Sequence, residues 1–238
     1  ARTFNRMADN IQMNDNSRGQ FMGNIAHELR TPMTTIKGFV DGILDGTIPP
    51  DMQNHYLQLV SEETGRLARL IQNMLDLSKL ESGEYQVNAR MFNIWETITG
   101  VALSAEQRIN DGMIDLEGLT MDEKVLVYAD PDLIHQVAYN ILDNAIKYSA
   151  PGGRITVKIW QGEYKAFIEI IDQGRGIPPE DLENVKTKFY KGSNAVRGSG
   201  IGLALVDSIM TALDGTMDIK STLGRGTVVT LGLPLYKK

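Results

Sequence analysis

Two amphipathic stretches separated by a short breaker constrain this chain more than any other feature. In the first, Phe21, Ile25, Leu29, Ile36, Val40 and Ile43 recur at threes, fours or their sum, and in the second Leu57, Val60, Leu67, Ile71 and Met74 do the same. That period is helical, so each stretch carries one apolar stripe. Between them Gly46-Thr47-Ile48-Pro49-Pro50 stops one helix and opens the next. The expected product is a helical hairpin whose stripe has little to cover it. Pairing with a second copy into a four-helix bundle, a homodimer, would bury the stripe, and a coiled-coil partner would bury it equally well.

Near Ser82-Gly83, which looks like a hinge, the pattern changes. Short β-rich runs follow at Val125–Tyr128, Arg154–Trp160, Ala166–Ile171, Met217–Lys220 and Val228–Leu233. Helical stretches near Asn93–Ile109, Pro131–Tyr148 and Ile201–Leu213 separate them, and Gln161-Gly162-Glu163 reads as a hairpin turn. The expectation is an α/β domain with its own core and helices on one face of a mixed sheet. The formal net charge of −6 opposes broad attraction to phosphate backbones, so no nucleic-acid partner is expected. With no cysteine there is no disulfide framework, thiol chemistry or cysteine zinc site. No apolar run approaches the roughly 18 residues that span a bilayer. The chain begins at Ala1 rather than Met, so it reads as a fragment whose missing part could hold membrane spans.

The first segment with chemical content is Phe21-Met22-Gly23-Asn24-Ile25-Ala26-His27-Glu28-Leu29-Arg30-Thr31-Pro32. His27 lies between two stripe positions without joining the stripe, so its imidazole should face solvent. Glu28 could hydrogen-bond one ring nitrogen and leave the other nucleophilic. Thr31, four residues on, shares the face of His27. Pro32 removes the bond to the Glu28 carbonyl and favours a kink. The string resembles the phosphoacceptor box of sensor histidine kinases, whose core His-Glu-Leu-Arg-Thr-Pro it matches throughout. The resemblance implies that His27 accepts a phosphoryl group, with Glu28 as acid–base partner and Thr31 orienting water for a reverse phosphatase reaction.

In Asn140-Ile141-Leu142-Asp143-Asn144-Ala145-Ile146-Lys147-Tyr148, the two asparagines are four apart on one helix face. Amide oxygens are hard neutral ligands, suited to Mg²⁺ already surrounded by phosphate oxygens and water. The spacing resembles the family's asparagine box, which implies Asn144 and Asn140 at Mg²⁺, Lys147 near the phosphates and Tyr148 near adenine.

Asp172-Gln173-Gly174-Arg175-Gly176-Ile177 follows a strand and offers a carboxylate for an exocyclic amine beside glycines that admit a flat base. It resembles the first glycine box, with Asp172 reading the adenine amino group and Gly174, Gly176 and Ile177 lining the site. Gly198-Ser199-Gly200-Ile201-Gly202-Leu203 is a glycine-rich turn opening a helix, whose amides and dipole favour an anion. It is no Walker loop, since no Gly-Lys dipeptide occurs. It resembles the second glycine box. Lys188-Phe189-Tyr190-Lys191 resembles the aromatic box, Gly192–Arg197 the mobile lid, and Lys188, Tyr190, Lys191 and Arg197 become candidate nucleotide contacts. Gly224-Arg225-Gly226-Thr227 reads as a structural turn.

Phe4-Asn5-Arg6-Met7-Ala8 resembles the exit of a HAMP relay module. The resemblance therefore implies three parts: the end of a HAMP-like linker helix over 1–18, a dimerisation and phosphotransfer domain over 19–83, and an ATP-binding α/β sandwich of the Bergerat type over 84–238. It implies ATP and Mg²⁺ as substrate and cofactor, a response regulator receiver domain as phosphoryl acceptor, and a membrane-anchored parent protein whose cytoplasmic part this is. Two alternatives stay open here: a non-enzymatic scaffold that binds nucleotide only as a signal, and another ATPase of the same superfamily. The latter would place an acid where Asn140 stands.

Overall fold

The computed structural model describes residues 2–119, 124–192 and 198–235, and of residues 2–18 and 20 the backbone alone. It divides into two compact units between Met74 and Leu75. The first unit holds helix α1 (Arg2–Leu44) and most of α2 (Pro50–Ser82). Their connection is stopped by Gly46 at φ +78, a left-handed conformation glycine adopts without steric cost. The Ile48 amide reaches back to the Gly42 carbonyl at 2.8 Å, and the Asp45 carboxylate accepts from the Thr47 amide at 2.9 Å. Proline at the first position of α2 has no amide hydrogen to leave unpaired. α1 continues through Pro32, beside three threonine hydroxyls that donate to carbonyls one turn back: Thr31 to His27 at 3.4 Å, Thr34 to Arg30 at 2.9 Å and Thr35 to Thr31 at 3.1 Å.

α2 ends in a Schellman cap: Glu84 donates to the Lys79 carbonyl at 3.0 Å, Gly83 to Leu80 at 3.3 Å, and Gly83 takes φ +71. The last two turns of α2 belong to the second unit, where Leu77 is 0% exposed and Asp76 accepts from the Gln136 side chain at 2.9 Å. The hinge read at Ser82-Gly83 thus lies beyond the point where the units divide. Leu77→Ala should cost about 3 kcal/mol through lost burial and a residual cavity. In this unit that lowers the thermal midpoint by about 8 °C, measurable by calorimetry.

The second unit continues with β1 (Arg90–Asn93), α3 (Ile94–Ser104), α4 (Glu106–Asp111), β2 (Asp115–Glu117), β3 (Leu126–Ala129), α5 (Pro131–Tyr148), β4 (Arg154–Gln161), β5 (Lys165–Asp172), the single turn α6 (Pro179–Leu182), α7 (Gly202–Ala212), β6 (Thr216–Thr222) and β7 (Gly226–Pro234). A five-stranded mixed sheet runs β2-β4-β5-β7-β6, parallel only between β2 and β4, and β1 pairs with β3 apart from it. β4 and β5 alternate buried and more exposed positions, so one face of the sheet is covered. α3, α5 and α7 pack together, with α5 against β5 and α7 against β6. Leu133, Ile134, Val137, Ala138, Ile141, Leu142 and Ala145 form the buried stripe of α5, leaving Gln136, Asn140 and Asn144 on another face.

The helix expected over Asn93–Ile109 is two. Asn93 is a cap rather than a helical residue, its Oδ1 accepting from the Trp95 and Val125 amides, both at 3.3 Å. The helix then breaks at Ala105, whose amide bonds three residues back to Ala102 at 3.1 Å. At the start of α5, Asp130 is 3% exposed: Oδ1 accepts from the Asp132 and Leu133 amides at 3.0 and 3.4 Å, while Oδ2 accepts from the Asn88 amide at 2.8 Å. Among the described residues no helix is long and apolar enough to cross a membrane.

Candidate functional site

His27 sits on α1 with its side chain 76% exposed, facing solvent as the stripe requires. Glu28 does not make the hydrogen bond considered for it: its Oε1 is 3.9 Å from His27 Nδ1, beyond bonding range. Successive side chains on a helix diverge by about 100°, so neighbours in sequence do not face one another without rotation. The Thr31 hydroxyl instead bonds the His27 carbonyl, on the shared face.

The other segments meet within the second unit. On α5, Asn140 donates through Nδ2 to the Gln136 carbonyl at 2.8 Å, which turns its Oδ1 away. That oxygen lies where a Cβ on Gly202, the first residue of α7, would come within 3.0 Å of it. Glycine there lets the asparagine face meet the start of α7. Among the described residues α7 has no side-chain cap on its first amides, and Ser199 Oγ accepts from Ile201 N at 3.4 Å. Ile201 is fully buried and Leu203 half-buried, and Gly200, at φ +71, packs against the backbone of Phe189 and Tyr190. The Phe189 amide donates to the Gly200 carbonyl at 2.9 Å, so the segment before the expected lid is joined to the segment after it.

Asn144 is half-buried on the same face of α5. Beyond it, the Lys147 ammonium lies 4.9 Å and the Arg175 guanidinium 4.5 Å from the Tyr148 ring centre, both within cation–π range. The Tyr148 carbonyl packs on Gly174, where a Cβ would come to 2.4 Å.

Asp172 is the last residue of β5. Its Oδ1 accepts from the Gly174 amide at 2.8 Å and the Thr227 amide at 3.2 Å. Burial raises its pKa above the ordinary value, and those two amides partly oppose the rise. Gly176, at φ +70, brings its backbone so close to Thr222 that a Cβ would lie 2.1 Å from the carbonyl oxygen. Gly176→Ala should therefore cost about 2 kcal/mol or more and lower the thermal midpoint by about 6 °C, read by thermal denaturation. The Ile177 amide donates to Ser221 Oγ at 2.8 Å.

Lys188 meets both carboxylate oxygens of Glu81 at 2.5 and 2.6 Å, and Lys191 is exposed. The Tyr190 hydroxyl donates to Asp181 Oδ1 at 2.5 Å, which holds the phenol proton and raises its pKa. Asp181 is 8% exposed, and its other oxygen packs on Gly192, leaving no room for a Cβ. Arg197 and most of the expected lid lie outside the described residues. Arg175, Asp181, Glu81, Ser221 and Thr227 were not singled out from sequence. Their partners come from other elements or loops, and only Arg175 and Thr227 lay inside a recognised motif.

The family described as the His Kinase A (phospho-acceptor) domain matches residues 17–83, and the histidine kinase-, DNA gyrase B- and HSP90-like ATPase family matches residues 129–237. The chain belongs to the two-component sensor histidine kinases. It is 35% identical over its whole length to sensor histidine kinase YclK of Bacillus subtilis, and 33% identical over 94% of its length to WalK of the same species. It spans 51% of YclK and 38% of WalK. Among solved structures, histidine kinase AdeS of Acinetobacter baumannii superposes with a TM-score of 0.74 at 27% identity, covering 89% of this chain and 98% of that one. ThkA, solved in complex with response regulator protein TrrA, gives 0.72 at 25% identity over 92% of this chain and 62% of its own.

Proposed function

We propose that this chain is the kinase core of its parent protein: it autophosphorylates His27 from Mg-ATP and passes the phosphoryl group to an aspartate of a response regulator receiver domain. The observation that carries the nucleotide half is Asp172. Two backbone amides occupy Oδ1, and Oδ2 remains to accept from the 6-amino group of adenine. Gly174 and Gly176 fold the loop tightly against the Tyr148 and Thr222 carbonyls beside the base, Ile177 closes that edge, and Tyr148 packs near the ring. The segment from Gly198 through Leu203, which leads into the uncapped start of α7, faces the phosphates, with Lys147, Lys188, Tyr190, Lys191 and Arg197 as further nucleotide contacts. Lys188 exchanges Glu81 for phosphate in this scheme.

The amide oxygens of Asn140 and Asn144 suit Mg²⁺ held mainly by phosphate oxygens, since the Nδ2 of Asn140 is already engaged. Bound there, the ion offsets phosphate charge. A small rotation brings Glu28 from 3.9 Å into contact with Nδ1 of His27, where it holds the ring proton. Nε2 then attacks the γ-phosphorus in line as the bond to the ADP oxygen breaks. Thr31 orients a water for the reverse, phosphatase, reaction.

The domains divide functionally near Gly83, residues 1–18 are the end of a HAMP-like linker helix, and the hairpin pairs with a second copy as a four-helix bundle. The complex of ThkA with TrrA supports a receiver domain as partner. The parent protein is anchored in the membrane. The test is incubation with γ-labelled ATP: acid-labile, base-stable label should appear on the chain and move to an added receiver domain. Steady ATP hydrolysis with no label on the protein would overturn the proposal.

A further inference from the structure

One row of side chains crosses the sheet beside the adenine-reading carboxylate. Asp172 on β5 pairs with Thr227 on β7, and Thr227 pairs with Ser221 on β6. Directly opposed residues of antiparallel strands share a face, so the three side chains stand together. Ser221 Oγ lies 2.8 Å from the Ile177 amide, 2.9 Å from the Gly226 carbonyl and 2.9 Å from the Thr227 hydroxyl.

These contacts fix the direction of every proton in the group. An amide can only donate and a carbonyl can only accept. Ser221 has one proton and two lone pairs. Its proton goes to the Gly226 carbonyl, and one lone pair takes the Ile177 amide. The remaining lone pair takes the Thr227 proton. The serine is then saturated, and Thr227 Oγ1 is left with lone pairs only.

From this geometry we infer that Ser221 is a positioning residue for base selectivity: it ties the Gly176–Ile177 loop to the β6–β7 turn and holds the Thr227 hydroxyl as an acceptor beside Asp172. The inference rests on the adenine site proposed above. Two acceptors side by side, the free carboxylate oxygen and this hydroxyl, favour a ligand edge that donates, as the 6-amino group of adenine does. They disfavour the 6-oxo group of hypoxanthine or guanine. Were Ser221 absent, Thr227 could rotate and donate, and the site would lose part of its discrimination. A β6 residue with no other claim on the nucleotide thereby acts on which nucleotide is held.

The test is equilibrium binding of ATP and ITP to the whole chain. Ser221→Ala should compress the ATP-to-ITP affinity ratio about tenfold, the size expected when one hydrogen-bond direction is released. Ser221→Thr, which keeps the hydroxyl, should restore it. An unchanged ratio in folded Ser221→Ala overturns the inference, even if both affinities fall together, because a merely structural serine would weaken both nucleotides alike. If that variant does not fold, Thr227→Val with Ser221 intact decides: it removes the acceptor, and an unchanged ratio there is equally fatal. Asp172→Asn separates the two levels. Should it bind ATP as tightly as the unaltered chain, the adenine site itself is misplaced; loss there with no effect at Ser221 sinks only the serine's role.

Discussion

His27→Gln should abolish transfer of label from γ-labelled ATP to the chain while leaving ATP binding unchanged. Glutamine keeps polarity and approximate length but has no ring nitrogen whose lone pair can attack phosphorus, so the effect is all or none rather than graded. His27 is 76% exposed, and the substitution removes no packing. Stability should shift by less than about 0.5 kcal/mol, as for surface positions generally. Three measurements are needed: label stable in base and lost in acid, nucleotide affinity by titration, and thermal midpoint. Label persisting in the variant would move the acceptor elsewhere. His55 packs edge-on against Tyr56 with ring centres 5.6 Å apart, and no comparable surroundings single out His135.

Asp172→Asn should weaken ATP binding by roughly two orders of magnitude, about 2–3 kcal/mol, and leave the nucleotide-free protein at least as stable. The asparagine oxygen can still accept from the Gly174 and Thr227 amides, so the local backbone keeps its ties. Its amide nitrogen then stands where the free carboxylate oxygen stood, and two donors face each other across the base. The stability sign follows from burial, which raises the folded pKa above the ordinary carboxylate value of 3.8. Between 3.8 and that raised value the folded state holds more proton than the unfolded state, so the carboxyl's contribution is present below 3.8 and lost as pH rises through the folded value. At neutral pH the ionised Asp172 is thus a cost that asparagine avoids. Calorimetry without nucleotide should show the variant's advantage at pH 7, shrinking as the pH falls through the folded value and vanishing below 3.8. A lower midpoint in the variant at pH 7 would contradict this assignment of burial as the dominant effect.

The long periodic elements were legible. Pro131–Tyr148 is helical from its proline to its tyrosine, because an aspartate cap, a proline at the first position and a continuous stripe agree. The helical hairpin and its Gly46–Pro50 turn follow from breaker chemistry in the same way. The strands at Arg90–Asn93 and Asp115–Glu117 escaped because three or four residues carry no measurable alternation. The break at Ala105 escaped because nothing about alanine announces it. In the site, the exposure of His27 follows from its place off the stripe, whereas the 3.9 Å gap to Glu28 depends on side-chain direction that spacing does not encode. The partners of Tyr190 and Lys188 were equally hidden, since Asp181 and Glu81 come from other elements. The row of Asp172, Thr227 and Ser221 depends on the register of three strands, and Asp172 and Thr227 lie 55 positions apart.

The double engagement of Asp130 sets the length of a leash. Between Ser82, where α2 ends, and Asn88, whose amide this carboxylate holds, the chain can stretch at most about 20 Å at roughly 3.3–3.6 Å per residue. Any such travel first needs Leu77 and the Asp76–Gln136 bond to come away, and beyond that length α2 must unravel or Asp130 must let go of Asn88. The same carboxylate caps the helix that carries Asn140 and Asn144, so tension on the leash would be felt first at the root of that helix.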